Sequence, residues 1–243
     1  MVEDSRAGSA RTPLAEAYAR WRKSSLGSIT DALERQLLLE LIGDVRGRTV
    51  LDVGCGDGEL ATALWERGAR VSGIDASAAM IAAAGRRAER QGAKITFAVG
   101  TAGRLPFAPA TFDRVVAVTV LCFVDDTASA LGEISRVLRP SGRLVIGELG
   151  RVSLWAAERR LRGWLGHPVW RRARFRTPDD LRELVGKSGL AVEDLRGAIF
   201  YPPCGTAARL SRWRIDRSPG RLTTFGAAFL ALAAVKSAKR LAP

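Results

Sequence analysis

The residues best suited to do chemistry are crowded into one short stretch, Val50-Leu51-Asp52-Val53-Gly54-Cys55-Gly56-Asp57-Gly58, with glycines at alternate positions and two acids. Glycines after an apolar run let the backbone turn tightly and let a ligand lie against the main chain. A pyrophosphate turn of the nicotinamide type spaces its glycines G-x-G-x-x-G. Here the third glycine comes one residue early, and Glu59 stands where that spacing requires a glycine. Pyrophosphate also prefers amides and a positive field to a turn holding Asp52, Asp57 and Glu59. The turn is therefore expected to favour a cationic ligand, and nicotinamide chemistry is disfavoured. A further acid, Asp75, follows about 20 residues on, where nucleotide-binding folds place a carboxylate for ribose hydroxyls. Asp75 supports such a site without naming its ligand, and helix capping is its other reading.

The elements around these residues follow from periodicity. Thr12-Pro13 signals a helix start, with Leu14 to Lys23 as the helix, and a second helix runs from about Ser28 to Ile42, with Leu33, Leu37, Leu38 and Leu41 at helical spacing and Gly43 as its stop. Thr49 to Val53 then reads as a strand and Glu59 to Arg67 as a helix. The alternation repeats: strand Arg70 to Asp75, helix Ala78 to Gln91, strand Ile95 to Ala98, strand Phe112 to Val118, helix Thr127 to Leu138 and strand Arg143 to Glu148. Short apolar strands alternating with helices imply parallel βαβ units covered on both faces, an α/β doubly wound class. Further on, Thr177-Pro178-Asp179-Asp180 caps a helix reaching Lys187, and Leu190 to Phe200 and Thr223 to Lys236 read as two strands of a hairpin with a long insertion, Tyr201 to Leu222. With the Arg-rich helical stretch Val152 to Trp170, that insertion is what a plain α/β sheet does not need.

In this setting LDVGCGDG, residues 51–58, resembles the first motif of the class I S-adenosylmethionine-dependent methyltransferases. Gly103-Arg104-Leu105-Pro106-Phe107 followed by Phe112-Asp113, and Leu138-Arg139-Pro140-Ser141-Gly142, are similar to later motifs of the same family, whose small-molecule members include quinone-biosynthesis enzymes. The resemblance has specific motifs from about Glu34 to Val145 and extends loosely to the whole chain. It implies a Rossmann-like seven-stranded sheet, mostly parallel with an antiparallel C-terminal hairpin, behind N-terminal helices. It also implies one domain, with helices over the cofactor in 1–47, a cofactor-binding core in 48–150, and acceptor-side helices with the last two strands in 151–243. The cofactor would be S-adenosylmethionine, held by Asp52, Gly54, Cys55, Gly56 and Gly58, by Asp75 and Ala76, by Thr119 at the end of the fourth strand, and by Tyr18 on the N-terminal helix. Where the family usually has an acid for the adenine amino group this chain has Thr101-Ala102, so that contact is made by the Thr101 hydroxyl, by backbone, or not at all.

Methyl transfer from a sulfonium needs positioning and exclusion of water, and a general base only where the acceptor carries a proton that must leave. Tyr201, Glu148 and His167 are weak candidates for that base; edge packing for Tyr201 and a solvated surface position for His167 are the competing readings. The acceptor is expected to be a small molecule, hydrophobic or anionic. A second reading, an RNA-binding or RNA-modifying enzyme, comes from the net charge of +13, which is concentrated in two stretches. Between Arg151 and Arg176 eight arginines face Glu158 alone, and Arg209, Arg212, Arg214, Arg217 and Arg221 face Asp216. Solvated faces in an Ala- and Arg-rich composition explain the same pattern. Trp155, Trp164, Trp170 and Phe175 interleave with those arginines, as an apolar pocket with a basic mouth or a base-stacking surface would require. The end of the fourth strand, Val118 to Phe123, lacks the Asn/Asp-Pro-Pro-aromatic run of amino-methylating DNA enzymes, which favours the small molecule.

With 243 residues, 47% of them hydrophobic, the chain can bury a sizeable core. Three cysteines and one histidine, all far apart, give neither a disulfide framework nor a metal-ligand spacing, so no metal is expected. The apolar run Phe225 to Val235 is too short for the roughly 20 residues of a membrane span. The first residues show no apolar segment behind positive charge, and a cytoplasmic protein is expected.

Overall fold

The computed structural model describes residues 20–214 and 223–237. Seven strands form one sheet: β1 (Thr49–Val53), β2 (Arg70–Asp75), β3 (Thr96–Val99), β4 (Phe112–Val118), β5 (Leu138–Leu149), β6 (Leu190–Ala198) and β7 (Phe229–Lys236). Their order is β3-β2-β1-β4-β5-β7-β6. The first five strands pair in parallel, and β7 pairs antiparallel with both β5 and β6. The expected Rossmann-like sheet with an antiparallel C-terminal hairpin is therefore present.

Every second strand residue enters one of two cores. Leu51, Val53, Val115, Ala117, Leu144, Ile146, Leu230 and Leu232 pack on one side of the sheet with Leu131, Ile134, Leu181 and Val185. Those helical partners come from α4 (Thr127–Val137) and α6 (Pro178–Lys187). Val50, Val71, Val116, Val145, Phe229, Ala231 and Ala233 face the other way, against Leu38, Leu41, Ile42, Ala61, Leu64 and Trp155. These belong to α1 (Ser25–Ile42), α2 (Glu59–Glu66) and α5 (Leu154–Trp164). Period-2 alternation with both sides apolar is why the strands read as unbroken hydrophobic runs. Helix α3 (Ala78–Arg90) follows β2, and α7 (Gly205–Arg214) packs on α1.

Several boundaries differ from expectation for local reasons. Helix α1 begins at Ser25, because the Ser24 hydroxyl accepts from the Gly27 amide and caps it. The Leu138 to Gly142 turn becomes part of β5 as a bulge: Phe112 pairs with Leu138 but Arg114 with Arg143, and Ser141 takes a positive φ of 62°. Strand β7 starts only at Phe229, after a turn through 223–228, and β6 stops at Ala198, where Ile199 turns with a φ of 63°. The insertion expected from Tyr201 to Leu222 carries α7 within its described part. Of the expected first helix only residues 20–23 are described, and they are helical. Tyr18 lies outside the described residues.

Candidate active site

The order of the sheet reverses between β1 and β4, and in an open α/β sheet the crevice at such a switch, at the carboxyl ends of the strands, is where ligands bind. The glycine turn sits there. Gly54, Gly56 and Gly58 all have positive φ, and Gly58 leads into α2 in the left-handed conformation. A Cβ on Gly54 would lie 2.5 Å from the Val120 side chain, so only glycine lets the turn pass the chain leaving β4. Around Gly56 a Cβ would meet nothing within 4 Å, so the turn is open on that side.

Asp75 ties the turn to β2. Its Oδ2 accepts from the Gly56 amide at 3.0 Å and its Oδ1 from the Ser77 amide at 2.8 Å. The capping of α3 is done by Ser77, whose hydroxyl accepts from Met80. Asp75 thus braces the backbone and keeps lone pairs on both oxygens for further donors. Asp52 is buried on β1, and its Oδ2 has no hydrogen-bond partner. Burial, then the nearby Asp75 charge, push its carboxyl up to about 7 against the opposing pull of the Ala61 amide. A buried acid held near neutrality is chemically ready for a cation, whose arrival would favour the ionised form.

Other residues named from the sequence lie at the same strand ends, and Tyr18 is outside the described residues. Ala76 is exposed beside Asp75; the Gly100 amide donates to the Asp75 carbonyl at 3.0 Å, which brings exposed Thr101 and buried Ala102 next to the β2 end. Thr119 leaves β4 with a left-handed φ of 48°, its amide held by the Gly147 carbonyl at 2.7 Å. Cys55 is buried and its thiol is pushed far up, so it packs and does not react.

The expectation of a negative field from Asp57 and Glu59 is corrected. Arg22 pairs with both, Arg87 with Asp57 at 2.7 Å and Arg35 with Glu59 at 2.9 Å. These arginines come from residues 20–23, α1 and α3, so the two acids fasten helices over the turn.

The three base candidates separate. His167 is exposed, in a turn where it lies against Trp170. Tyr201 is buried, and since the Thr30 hydroxyl donates to the Leu26 carbonyl, the 2.8 Å contact has the Tyr201 hydroxyl donating to Thr30. The Tyr201 carbonyl also accepts from the Trp155 indole at 2.9 Å. Glu148, at the end of β5, is fully buried and neither carboxyl oxygen has a hydrogen-bond partner. Burial pushes it up to about 8 in spite of the Arg176 guanidinium, whose Nε is 3.9 Å away. Arg176 is itself held by the Thr127 hydroxyl at 3.0 Å.

Three residues were read only as members of longer stretches, Arg159 and Arg176 of the arginine-rich one and Glu34 of the second helix. Arg176 precedes the α6 capping box, and nothing local in the sequence set it apart from the other arginines of its stretch. Glu34 lies on α1 four residues after Thr30; burial pushes it up to about 8, opposed by Arg159. Arg159 is stacked between Trp155 at 5.0 Å and Trp170 at 4.8 Å. An acid in the turn-by-turn apolar register of a helix was the available sign for Glu34. A surface groove of about 600 Å³ runs between α1 and the last turn of α2. It lies at the amino ends of the strands and is no part of the crevice.

Residues 51–146 match a family described as "Methyltransferase domain". An uncharacterized protein of Mycobacterium tuberculosis H37Rv is 36% identical over 224 residues, covering 92% of this chain and 73% of that one. A ubiquinone biosynthesis O-methyltransferase of Methylobacterium is 32% identical over 206 residues, covering 82% and 80%. Among solved structures, an S-adenosylmethionine-dependent methyltransferase of Thermotoga maritima, described as a possible histamine N-methyltransferase, shares the fold with a TM-score of 0.74 at 24% identity, covering 93% of this chain and 98% of that one. With the family match and relatives above 30% identity over most of both chains, the chain belongs to the class I S-adenosylmethionine-dependent methyltransferases.

Proposed function

We propose that this methyltransferase acts on a small, hydrophobic or anionic acceptor that meets the cofactor at the carboxyl ends of β4 and β5. The observation that carries the reading is the fully buried Glu148 beside Arg176, one strand from the end of β4. The likeness to ubiquinone biosynthesis O-methyltransferases over most of both chains supports the acceptor class. We assign residues 1–47 to helices over the cofactor, 48–150 to its binding and 151–243 to the acceptor side.

In this reading the backbone of Gly54, Cys55, Gly56 and Gly58 lines the cofactor. Asp75 accepts from ribose hydroxyls with the lone pairs its amide contacts leave, while Ala76, Thr101 and Ala102 border the adenine. Asp52 faces the cationic end, with Thr119 opposite and Tyr18 on the covering segment. Bound there, S-adenosylmethionine supplies an electrophilic methyl carbon and a thioether leaving group. The chain's part is to hold the acceptor atom in line and exclude water. Where that atom carries a proton, ionised Glu148 accepts it and Arg176 offsets the charge.

The test is a tritiated-methyl transfer screen against metabolite extracts and total RNA. Label is expected in a small ribonuclease-resistant product; label confined to RNA would overturn the reading. With a proton-bearing acceptor in hand, the rate should rise with pH through about 8, and Glu148→Gln should remove that limb while cofactor affinity holds.

A further inference from the structure

Apart from Val99 and Phe123, the large hydrophobic side chains left exposed among the described residues gather on one piece of surface. They are Leu154 (64% exposed), Leu161 (54%), Trp164 (86%) and Leu165 (78%) along α5, with Val152 just before it and Phe225. At 3.6 residues per turn Leu154, Leu161 and Leu165 fall within about 40° of one another. Trp155, Ala156 and Gly163 occupy the buried side of the same helix. Phe225, Val152 and Arg151 line a common depression of about 120 Å³, which joins the two parts of the patch.

The surroundings of this ridge are cationic. Arg151, Arg162, Arg171 and Arg172 are exposed around it, as is Arg174, which pairs with Asp125 at 3.4 Å. The only acid between residues 151 and 176, Glu158, is held by Arg162 at 2.6 Å. An apolar ridge of this size needs a partner, and the arginine rim sets that partner's charge as negative. A second copy meeting the same patch across a two-fold axis would bring arginine against arginine. Nucleic acid would be gripped through rings that stack on bases, but the ridge is aliphatic save for Trp164 and Phe225. An anionic bilayer surface matches each part: leucines enter the acyl boundary, an indole sits at headgroup level, and guanidinium groups meet lipid phosphates.

We propose that the outer face of α5, with Val152 and Phe225, docks this protein reversibly on an anionic lipid bilayer. Because α5 follows β5 directly, the docked face lies next to the carboxyl edge of the sheet. The proposal does not depend on the identity of the acceptor.

Flotation of the full chain with phosphatidylcholine vesicles, with and without phosphatidylglycerol, tests it. The protein should co-float with the phosphatidylglycerol vesicles and not with phosphatidylcholine alone, and added salt should weaken the association. Leu161→Glu with Leu165→Glu, and separately Arg171→Glu with Arg172→Glu, should each weaken it by roughly tenfold or more. Brominated lipid should quench tryptophan emission, and Trp164→Phe should remove most of that quenching. A thermal shift by S-adenosylmethionine equal to the wild type's shows that each variant is folded; should the leucine pair fail this, the Trp164→Phe quenching decides. The proposal is overturned by absence of flotation, by flotation indifferent to the leucine substitutions, by quenching that Trp164→Phe leaves intact, by an oligomer that those substitutions disperse, or by RNA binding that they abolish. None of these results bears on methyl transfer to a small acceptor, which is read separately by the labelled-methyl screen.

Discussion

Asp75 and Asp52 are both carboxylates at neighbouring strand ends, yet their surroundings give them different work. Asp75 receives two backbone amides and keeps acceptor capacity, so Asp75→Ala should weaken S-adenosylmethionine binding by about 1–3 kcal/mol, through lost charge-assisted hydrogen bonds. Titration calorimetry reads this directly, and unchanged affinity would remove Asp75 from the site. Asp52 has an orphan oxygen and sits near pH 7 because it is buried next to Asp75. A cation bound beside it requires the ionised form, so affinity for the methyl donor should rise as pH increases through about 7, with a proton released on binding. Calorimetry in buffers of different ionisation enthalpy measures that proton, and Asp52→Asn should abolish both the proton and the pH dependence. The position of both acids was legible from an apolar run ending in glycines. Their protonation was not, since it depends on burial and on a neighbour 23 positions away.

Among the elements, the glycine turn and the helix caps follow from short-range rules and carry short-range tests. Gly54→Ala combines a left-handed φ of 72° with a Cβ driven into Val120. It should cost about 1–3 kcal/mol of stability in urea unfolding. Adding Val120→Ala should recover the steric part but leave the backbone strain, so a full recovery would refute the strain. At α6, Thr177 and Asp180 form a reciprocal capping box with Pro178 behind the cap, as the sequence alone suggested. Thr177→Ala should lower stability by about 1 kcal/mol. Helix α5 shows where such rules stop. Its Arg-Trp interleaving was visible, but which tryptophan is buried and which stands in water depended on the side that faces β7 and Tyr201. Trp155 went inward and bonds Tyr201, while Trp164 went outward.

For the whole molecule, three acids shielded from water set the response to pH, Asp52 and Glu148 buried and Glu34 partly so. Glu34, Asp52 and Glu148 are raised to about 8, 7 and 8, well above the ordinary carboxylate range. Between that range and pH 8 the folded chain therefore holds more protons than the unfolded one, and stability falls as pH rises. Asp113 and Glu133, held near 2 by arginine and backbone partners, act in the opposite sense but only in strong acid. The cofactor-free protein should thus melt at a higher temperature near pH 5.5 than near pH 8.5, roughly the two sides of this window. Glu148→Gln should flatten the difference; a melting temperature that climbs across the window would contradict the burial of these acids.

The sequence by itself determined the alternating strands and helices, the glycine turn at the first strand end and the acid at the second, because each depends on residues within one or two turns of chain. Only the tertiary structure decided which charges remain available to a ligand. Arg22, Arg35 and Arg87 come from three separate segments to neutralise Asp57 and Glu59, whereas Asp52 keeps one buried oxygen, and Glu148 both, outside any hydrogen bond. Pairing and burial are set by neighbours in space, and the fold brings those together from 24 to 37 positions apart for the first acid pair and from 28 apart for Glu148 and Arg176.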